Sequence, residues 1–292
     1  MLENIYGFMG LFYESGFMQR AAFALFLLSF AASGTGVLVV SRRMAFFPDA
    51  AGHTIFGGLA LGLIFGLPVD IVVLVFGVLI GLLIIYVVRH STLASDTVIG
   101  LIFSGGVAFG LALVSRYPEA QSKINRYFLG DIMTVNDNEI VLLIILAIVS
   151  LLFFIFLYNR LMLSCVSPAN YLKSAAPEYL FGAFLAFVVV ISVQVVGVLL
   201  VTALLIAPAA AGRILAPTGR WMFWIALAVS LVSGQLGLLI AYQPQVNTTP
   251  GATVVFISIV IFALSVLGKR LYAAFTKKEL IVNQTGSGVE RA

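Results

Sequence analysis

The chain has 292 residues, of which 62% are hydrophobic and only 10% are charged, and its mean hydropathy is +1.13. Soluble domains have about 45–50% apolar and about 25% charged residues. The composition therefore excludes a soluble enzyme and a disordered chain, and it indicates a polytopic membrane protein. A single cysteine, Cys165, excludes a disulfide framework and a thiolate metal cluster within one chain. The net charge of +4 is typical here of cytoplasmic loops that face anionic lipid, and we expect no nucleic-acid partner.

Stretches without charged residues predict the membrane spans, because a helix needs about 20 apolar residues to cross the bilayer. The stretch 221–268 is long enough for two spans, and the turn residues AYQPQVNTTPG at 241–251 divide it. The stretch 179–212 is too long for one untilted helix, and its residues at 192–197 predict a break; a single helix there would leave eight spans. We expect an all-α membrane protein with one membrane domain and nine transmembrane helices, at about 17–41, 51–67, 70–89, 95–115, 139–158, 179–195, 197–212, 221–242 and 250–268.

Lysine and arginine predict the orientation, since cytoplasmic loops carry an excess of both. With the amino terminus outside, twelve of the sixteen basic residues fall on the cytoplasmic side. The sequence thus predicts an extracytoplasmic segment 1–16, a transmembrane domain 17–270 and a polar cytoplasmic tail 271–292. The first segment lacks the features of a cleaved signal peptide. The composition of the tail is typical of a solvated, disordered segment.

An acidic residue and a histidine stand near the start of the second predicted span, in RRMAFFPDAAGH at 42–53. Asp49 and His53 are four residues apart, so a helix that begins near Pro48 would place both on one face, with Cβ atoms about 5–6 Å apart. A carboxylate and an imidazole can ligate one divalent transition metal together. The spacing equally fits an Asp49 that caps the helix and a packed or solvated His53. The other ligands of a metal would be water, the same pair from a second copy or residues that the sequence does not identify.

Glycines recur every four residues in three predicted spans. Small residues at this spacing let helix backbones approach closely in lipid, and we favour this packing role over a conduit role. The residues are Gly58, Gly62, Gly66, Gly77, Gly81, Gly106 and Gly110.

A further pattern follows the apolar run VLLVTALLIA, where a proline and small residues lead into a basic segment on the predicted cytoplasmic side. Such a segment would lie at the membrane surface and dock into a groove on a cytoplasmic partner, whereas the alternative is an ordinary loop. The candidate residues are Pro208, Ala209, Ala210, Ala211, Gly212, Arg213, Ile214 and Leu215.

Several motifs are absent from the sequence. Without GxxxxGK[ST] the chain does not bind ATP through a P-loop, and without HExxH or GxSxG it does not fit a membrane protease or hydrolase. Ionisable residues stand at span ends and not inside the spans, which is atypical of ion-coupled carriers. We therefore expect a non-catalytic membrane subunit that forms a transport pathway and is powered by another subunit. The alternative is an ion-coupled secondary metal carrier.

Five stretches, in this order, resemble the permease subunits of the bacterial zinc/manganese ABC importers, the metal-uptake permeases of ZnuB and MntB type. Together they cover about residues 15–270. They are RRMAFFPDAAGHTIFGGLALG at 42–62, SDTVIGLIFSGGVAFGLAL at 95–113, YFLGDIMTVNDNEI at 127–140, VVGVLLVTALLIAPAAAGRI at 195–214 and TPGATVVFISIVIFALS at 249–265.

The resemblance implies a type II ABC importer permease in a bacterial cytoplasmic membrane, with the carboxyl terminus in the cytoplasm and no permanently bound cofactor. It implies a homodimer, two copies of a cytoplasmic ABC ATPase and an extracytoplasmic metal-binding protein that delivers zinc, manganese or iron. Asp49 and His53 would match the family's acidic residue and histidine implicated in metal passage. The segment from Pro208 to about Gly219 would match the helices that couple to the ATPase.

The chain departs from the family pattern at three positions. Pro48 stands where the family usually has glycine, and Gly52 where it usually has serine. Thr248 stands where many members have an acidic residue, so an outward-facing charge that receives the cation would be missing. These differences, and a ligand pair that suits several metals, leave the choice of metal open.

Overall fold

A computed structural model of the chain describes residues 15–115, 132–166, 175–243 and 248–289, and its regular structure is helical. The described residues form ten α-helices, and a 3-10 turn at Ile132–Thr134 precedes the sixth. The helices are α1 Gly16–Ser41, α2 Phe47–His53, α3 Ile55–Phe65, α4 Val69–His90, α5 Ser95–Val114, α6 Asp137–Val166, α7 Ala176–Val196, α8 Val198–Leu215, α9 Gly219–Ala241 and α10 Pro250–Val289.

The predicted all-α membrane fold is confirmed. Within the described ranges, eight helices are long and apolar enough to cross a membrane, namely all except α2 and α3. The predicted break in 179–212 is present at Gly197, whose φ of 84° lies in a region that favours glycine. The chain therefore forms two helices there, α7 and α8.

The second predicted span, 51–67, is wrong as a single helix. Helical structure begins earlier, at Phe47, and is interrupted at Thr54, which separates the seven residues of α2 from the eleven of α3. The Thr54 hydroxyl donates to the Ala51 carbonyl at 2.8 Å, a local bond that competes with the regular helical ladder. Gly57 and Gly58 follow directly and add little helix propensity.

The two short helices nevertheless cross the bundle together. Gly66, with φ 63°, turns the chain after α3. Helix α4 then runs back along α3 in close contact. Methyl groups added at Gly62 and Gly58 would lie only 3.2 Å and 2.9 Å from the Cα atoms of Val69 and Val73. The carboxyl end of α4 lines a cavity with the residues that precede α2. Because α4 spans the bundle, the α2–α3 pair does so as well, which gives nine passes over the described residues.

One end of the bundle, here called the Arg20 end, carries the start of α1. The Arg20 guanidinium pairs with the Asp137 carboxylate of α6 at 3.1 Å. The Gln194 amide of α7 donates to the Asp70 backbone carbonyl of α4 at 3.2 Å. A cavity of about 740 Å³ opens here between α4, α6 and α7, and oxygen-bearing side chains line part of it: Asp70, Asn136, Asn138, Glu139 and Gln194.

The opposite end, here called the Arg42 end, carries the carboxyl end of the last span. Lys269 of α10 donates to the Ile214 carbonyl at 2.6 Å, and Arg213 donates to the Val40 carbonyl of α1 at 2.8 Å. The first and last spans therefore begin and finish at opposite ends. The backbone of α10 is helical through Val289.

Helices α1 and α7 form the centre of the bundle. In each, 72% of the most apolar stretch is buried, compared with 17% in α6 and in α10. Helix α2 is inserted beside them, and five of its seven residues are buried. The fold thus places Asp49 and His53 beside the central helices α1 and α7, near the start of the second pass.

Candidate functional site

Asp49 and His53 both belong to α2. Pro48 occupies the first turn of this helix, where its missing N–H is not needed, and Asp49 lies in the same turn. His53 is the last residue of the helix, one turn further on. Both side chains are half-buried. The i, i+4 spacing on a continuous helix places them on the same face, as the sequence predicted.

Gly52 and Phe47 anchor α2 by tight packing. A methyl group added at Gly52 would lie 3.3 Å from Val198 Cγ1 of α8 and 3.7 Å from Val193 Cγ2 of α7. Phe47 is fully buried and approaches Gly81 of α4. Because glycine and small residues allow this close approach, α2 is held against the central helices while its polar side chains stay accessible.

Two aromatic rings constrain the His53 imidazole. The Phe103 ring of α5 lies edge-to-face against it, with centroids 5.1 Å apart and an interplanar angle of 76°. The Phe56 ring of α3 makes a second edge contact at 5.8 Å and 67°. Such pairs orient a ring without occupying its nitrogen atoms. The sequence analysis did not assign a role to Phe103. Phe103 lies one helical turn before Gly106, which packs against Thr54, and this spacing could have indicated that Phe103 lies near His53.

Two glycines of α5 bring that helix onto the α2–α3 joint. A methyl group added at Gly106 would lie 2.7 Å from Thr54 Cγ2, and one added at Gly110 would lie 2.7 Å from Phe56 Cβ. The contact with the joint therefore depends on the absence of side chains at these positions.

The remaining glycines of the predicted packing set differ in their surroundings. Gly58 and Gly62 face α4, and Gly77 and Gly81 face Val190 and Ala186 of α7. Gly66 differs from the packing expectation, since a methyl group there would meet no atom within 4 Å. Its left-handed conformation ends α3 instead, which is a turn role.

Within the described ranges, no further acidic, histidine or cysteine side chain completes a metal site around the Asp49/His53 pair. Among the described residues, no group of three or more histidine, cysteine, aspartate or glutamate side chains could hold a metal ion. Thr248 lies at the start of α10, at the Arg20 end, and its hydroxyl is 2.8 Å from the Thr253 hydroxyl. The described part of the chain thus offers one carboxylate and one imidazole at this place.

The candidate coupling segment is divided by the structure. Helix α8 continues through Pro208 to Leu215, and Pro208, Ala209, Ala211 and Gly212 are buried. A methyl group added at Gly212 would lie 2.7 Å from the Met222 carbonyl, which shows how closely α9 packs there. Solvent-accessible residues begin at Arg213 and continue to Arg220, and the Leu215 side chain is 45% exposed. Arg213 and Leu215 are thus the exposed members of the candidate segment, and a docking role for 208–215 stays a prediction.

Known proteins similar to the chain are membrane components of transport systems. The chain is 30% identical to the manganese import system permease protein ScaB of Streptococcus gordonii, over 85% of this chain and 90% of that protein. It is 28% identical to the chelated iron transport system membrane protein YfeD of Yersinia pestis, over 86% of this chain and 85% of that protein.

A solved structure shares the fold. The structure of PsaBC from Streptococcus pneumoniae in complex with Fab superimposes with a TM-score of 0.76 at 26% identity, covering 89% of this chain and 95% of that chain. The sequence model of the ABC 3 transport family matches residues 14–269, which include every helix that positions Asp49 and His53. The chain belongs to the ABC 3 transport family.

Proposed function

We propose that the chain is the membrane-spanning, non-catalytic permease subunit of an ATP-driven importer of a divalent transition metal. The observation that carries this proposal is the Asp49/His53 pair, held on a short anchored helix beside the central helices of a transport-family fold. The names of similar proteins specify manganese and chelated iron. A carboxylate–imidazole pair suits manganese, iron and zinc alike, so the transported ion is one of these three.

The pair binds the ion transiently during its passage through the membrane. The Asp49 carboxylate and the His53 imidazole replace part of the hydration shell with one oxygen and one nitrogen ligand. A site with so few protein ligands binds weakly, which suits passage through a membrane. The incomplete ligand set supports a homodimer, in which the same pair from a second copy faces the ion from the other side.

The energy for transport comes from another subunit. Two copies of a cytoplasmic ABC ATPase bind at the Arg42 end, where the exposed residues 213–220 offer a basic and apolar surface. An extracytoplasmic metal-binding protein delivers the ion at the Arg20 end. This orientation is supported by the excess of lysine and arginine at the Arg42 end. ATP binding and hydrolysis then change which end of the path is open.

An ion-coupled secondary carrier is the weaker alternative. Such carriers keep acidic or basic groups in the bilayer core, whereas Asp70, Asp96, Asp137 and Glu178 lie within the first turns of their helices. Uptake into proteoliposomes separates the two functions, since the importer requires ATP and the binding protein and the carrier requires only an ion gradient.

The test of the site is metal uptake by single variants of the reconstituted complex. We expect Asp49→Ala and His53→Ala each to reduce uptake of radioactive manganese, iron or zinc at least about tenfold, because each loses one of two ligands. Assembly with the ATPase remains intact. The matched control is Asp137→Asn, which alters an exposed carboxylate at the Arg20 end. Normal uptake by both alanine variants would refute the site.

A further inference from the structure

A small cavity at the Arg42 end of the bundle has a basic lining. It has a volume of about 270 Å³ and lies where the carboxyl ends of α1, α4 and α6 meet the amino ends of α5 and α7. Its lining includes three guanidinium groups, from Arg42, Arg43 and Arg89, and three hydroxyl groups, from Ser41, Ser95 and Ser164. The Asp49/His53 pair does not line this cavity.

The positive charge of the cavity is only partly compensated. Arg89 pairs with Glu178 at 2.8 Å, and both side chains are about a quarter exposed. Glu178 is the only acidic side chain in the lining, as far as the described residues show. Arg42 and Arg43 therefore leave two positive charges without a carboxylate at this place.

Arg42 is held in position by neutral groups. Its Nη2 donates to Ser164 Oγ at 2.7 Å, and its guanidinium lies over the Phe181 ring at 4.9 Å from the centroid. The Nε atom of Arg42 is buried and has no hydrogen-bond partner among the described residues. A buried N–H on a charged group without an acceptor is costly. The guanidinium is thus oriented and still has donor capacity for an anion.

The backbone at Arg43 is also unusual. Its φ of 57° is the only positive value at a non-glycine residue in the described part of the chain. This left-handed conformation costs about 1 kcal/mol, and residues held in it cluster at ligand sites. It directs the chain from α1 into α2 and leaves the Arg43 side chain exposed beside the cavity.

The chemistry of the lining fits a phosphate ester. Arginine matches phosphate oxygens with paired N–H donors, and serine hydroxyls add single donors. The walls are also partly apolar, through Ile85 and Val88 of α4. On the outer surfaces next to them, Tyr86 is 53% exposed and Leu163, adjacent to Ser164, is 49% exposed. A ligand with a phosphate head and hydrocarbon chains matches this combination better than a free anion or an acidic protein side chain.

We propose that this cavity binds the headgroup of an anionic phospholipid of the phosphatidylglycerol class. Arg42 and Arg43 hold the phosphate, the Ser41 and Ser95 hydroxyls donate to its oxygens, and the acyl chains run along the apolar outer faces of α4 and α6. Basic pockets between membrane helices are a recurrent site for anionic headgroups. The bound lipid would fasten the carboxyl ends of α1, α4 and α6 at the point where the chain enters α2.

Native mass spectrometry of the purified permease tests this site. The protein is released from nanodiscs that contain phosphatidylglycerol and phosphatidylcholine, with and without added inorganic phosphate. We expect selective retention of phosphatidylglycerol, and about fivefold weaker retention for Arg42→Gln and for Arg43→Gln. The matched control, Arg160→Gln, removes an exposed arginine of α6 that does not line the cavity and should retain the lipid as the unaltered chain does.

Each other outcome overturns the lipid assignment. Equal retention of the two lipids, or retention that Arg43→Gln does not change, would show that the cavity is not the site. Displacement of phosphatidylglycerol by inorganic phosphate at equal concentration would assign the arginines to a free anion. Loss of the copurifying ATPase in Arg43→Gln, with lipid retention unchanged, would assign them to a protein carboxylate. If Arg42→Gln does not fold, Arg43→Gln alone decides, since its side chain is exposed.

Discussion

The imidazole of His53 is positioned by aromatic contacts with Phe103 and Phe56. The phenyl rings of these two neighbours carry no nitrogen or oxygen atom that would itself ligate a metal ion. Asp49, one helical turn away, contributes an oxygen from the same face. At the scale of single residues, the site therefore depends on a short helix and on a ring that orients the imidazole.

Replacing Phe103 by leucine tests this orienting role. Leucine keeps most of the apolar volume but removes the edge contact with His53, and such aromatic pairs contribute about 0.5–1.5 kcal/mol. We therefore expect metal uptake to fall about threefold to tenfold, with little change in the thermal unfolding temperature. Leu101→Ala, on the exposed face of the same helix, is the control for a general effect of α5. Equal loss of uptake in both variants would contradict an orienting role for Phe103.

At the scale of elements, the contact of α5 with the α2–α3 joint depends on two glycines. A methyl group at Gly110 would meet not only Phe56 Cβ but also the Gly57 backbone nitrogen, at 2.8 Å. Backbone atoms cannot move aside as a flexible side chain does. Close helix packing in a bilayer draws on such contacts because no hydrophobic effect drives helices together there.

A pair of glycine substitutions in α5 measures this contact. Gly110→Ala should destabilise the permease by about 1–3 kcal/mol, the usual cost of overpacking. Gly105→Ala should be neutral or stabilising, because its added methyl group would meet no atom within 4 Å and alanine is the better helix former. The measurement is the unfolding temperature of the purified permease in detergent. An equal decrease in the two variants would show that helix α5 does not pack as described.

At the scale of the whole molecule, the sequence predicts the number and order of the passes well, because the cost of burying charge in lipid separates spans from loops. It also predicts that Asp49 and His53 share a helix, since their spacing is local. The interruption at Thr54 was not predicted, because it depends on a side-chain bond and on α5 packing at the joint. The burial of Pro208, Ala209, Ala211 and Gly212 was not predicted either. In helices that are apolar on every side, the pattern does not indicate which face is packed against protein.

The same packing connects the proposed ATPase surface to the metal pair. Arg213, where the accessible part of the coupling segment begins, donates to the Val40 carbonyl near the end of α1, and the chain then passes through Arg42 and Arg43 into α2. This hydrogen bond links residues 213–220 to the end of α1, from which the chain continues into the helix that carries Asp49 and His53. On the proposed function, we expect Arg213→Gln to uncouple the complex: ATP hydrolysis and assembly persist, while metal uptake per ATP falls about fivefold, because one charge-assisted hydrogen bond is lost. Parallel assays of ATP hydrolysis and metal uptake in proteoliposomes measure this ratio, with Arg160→Gln as the control. An unchanged ratio in Arg213→Gln would show that the coupling takes another route through the bundle.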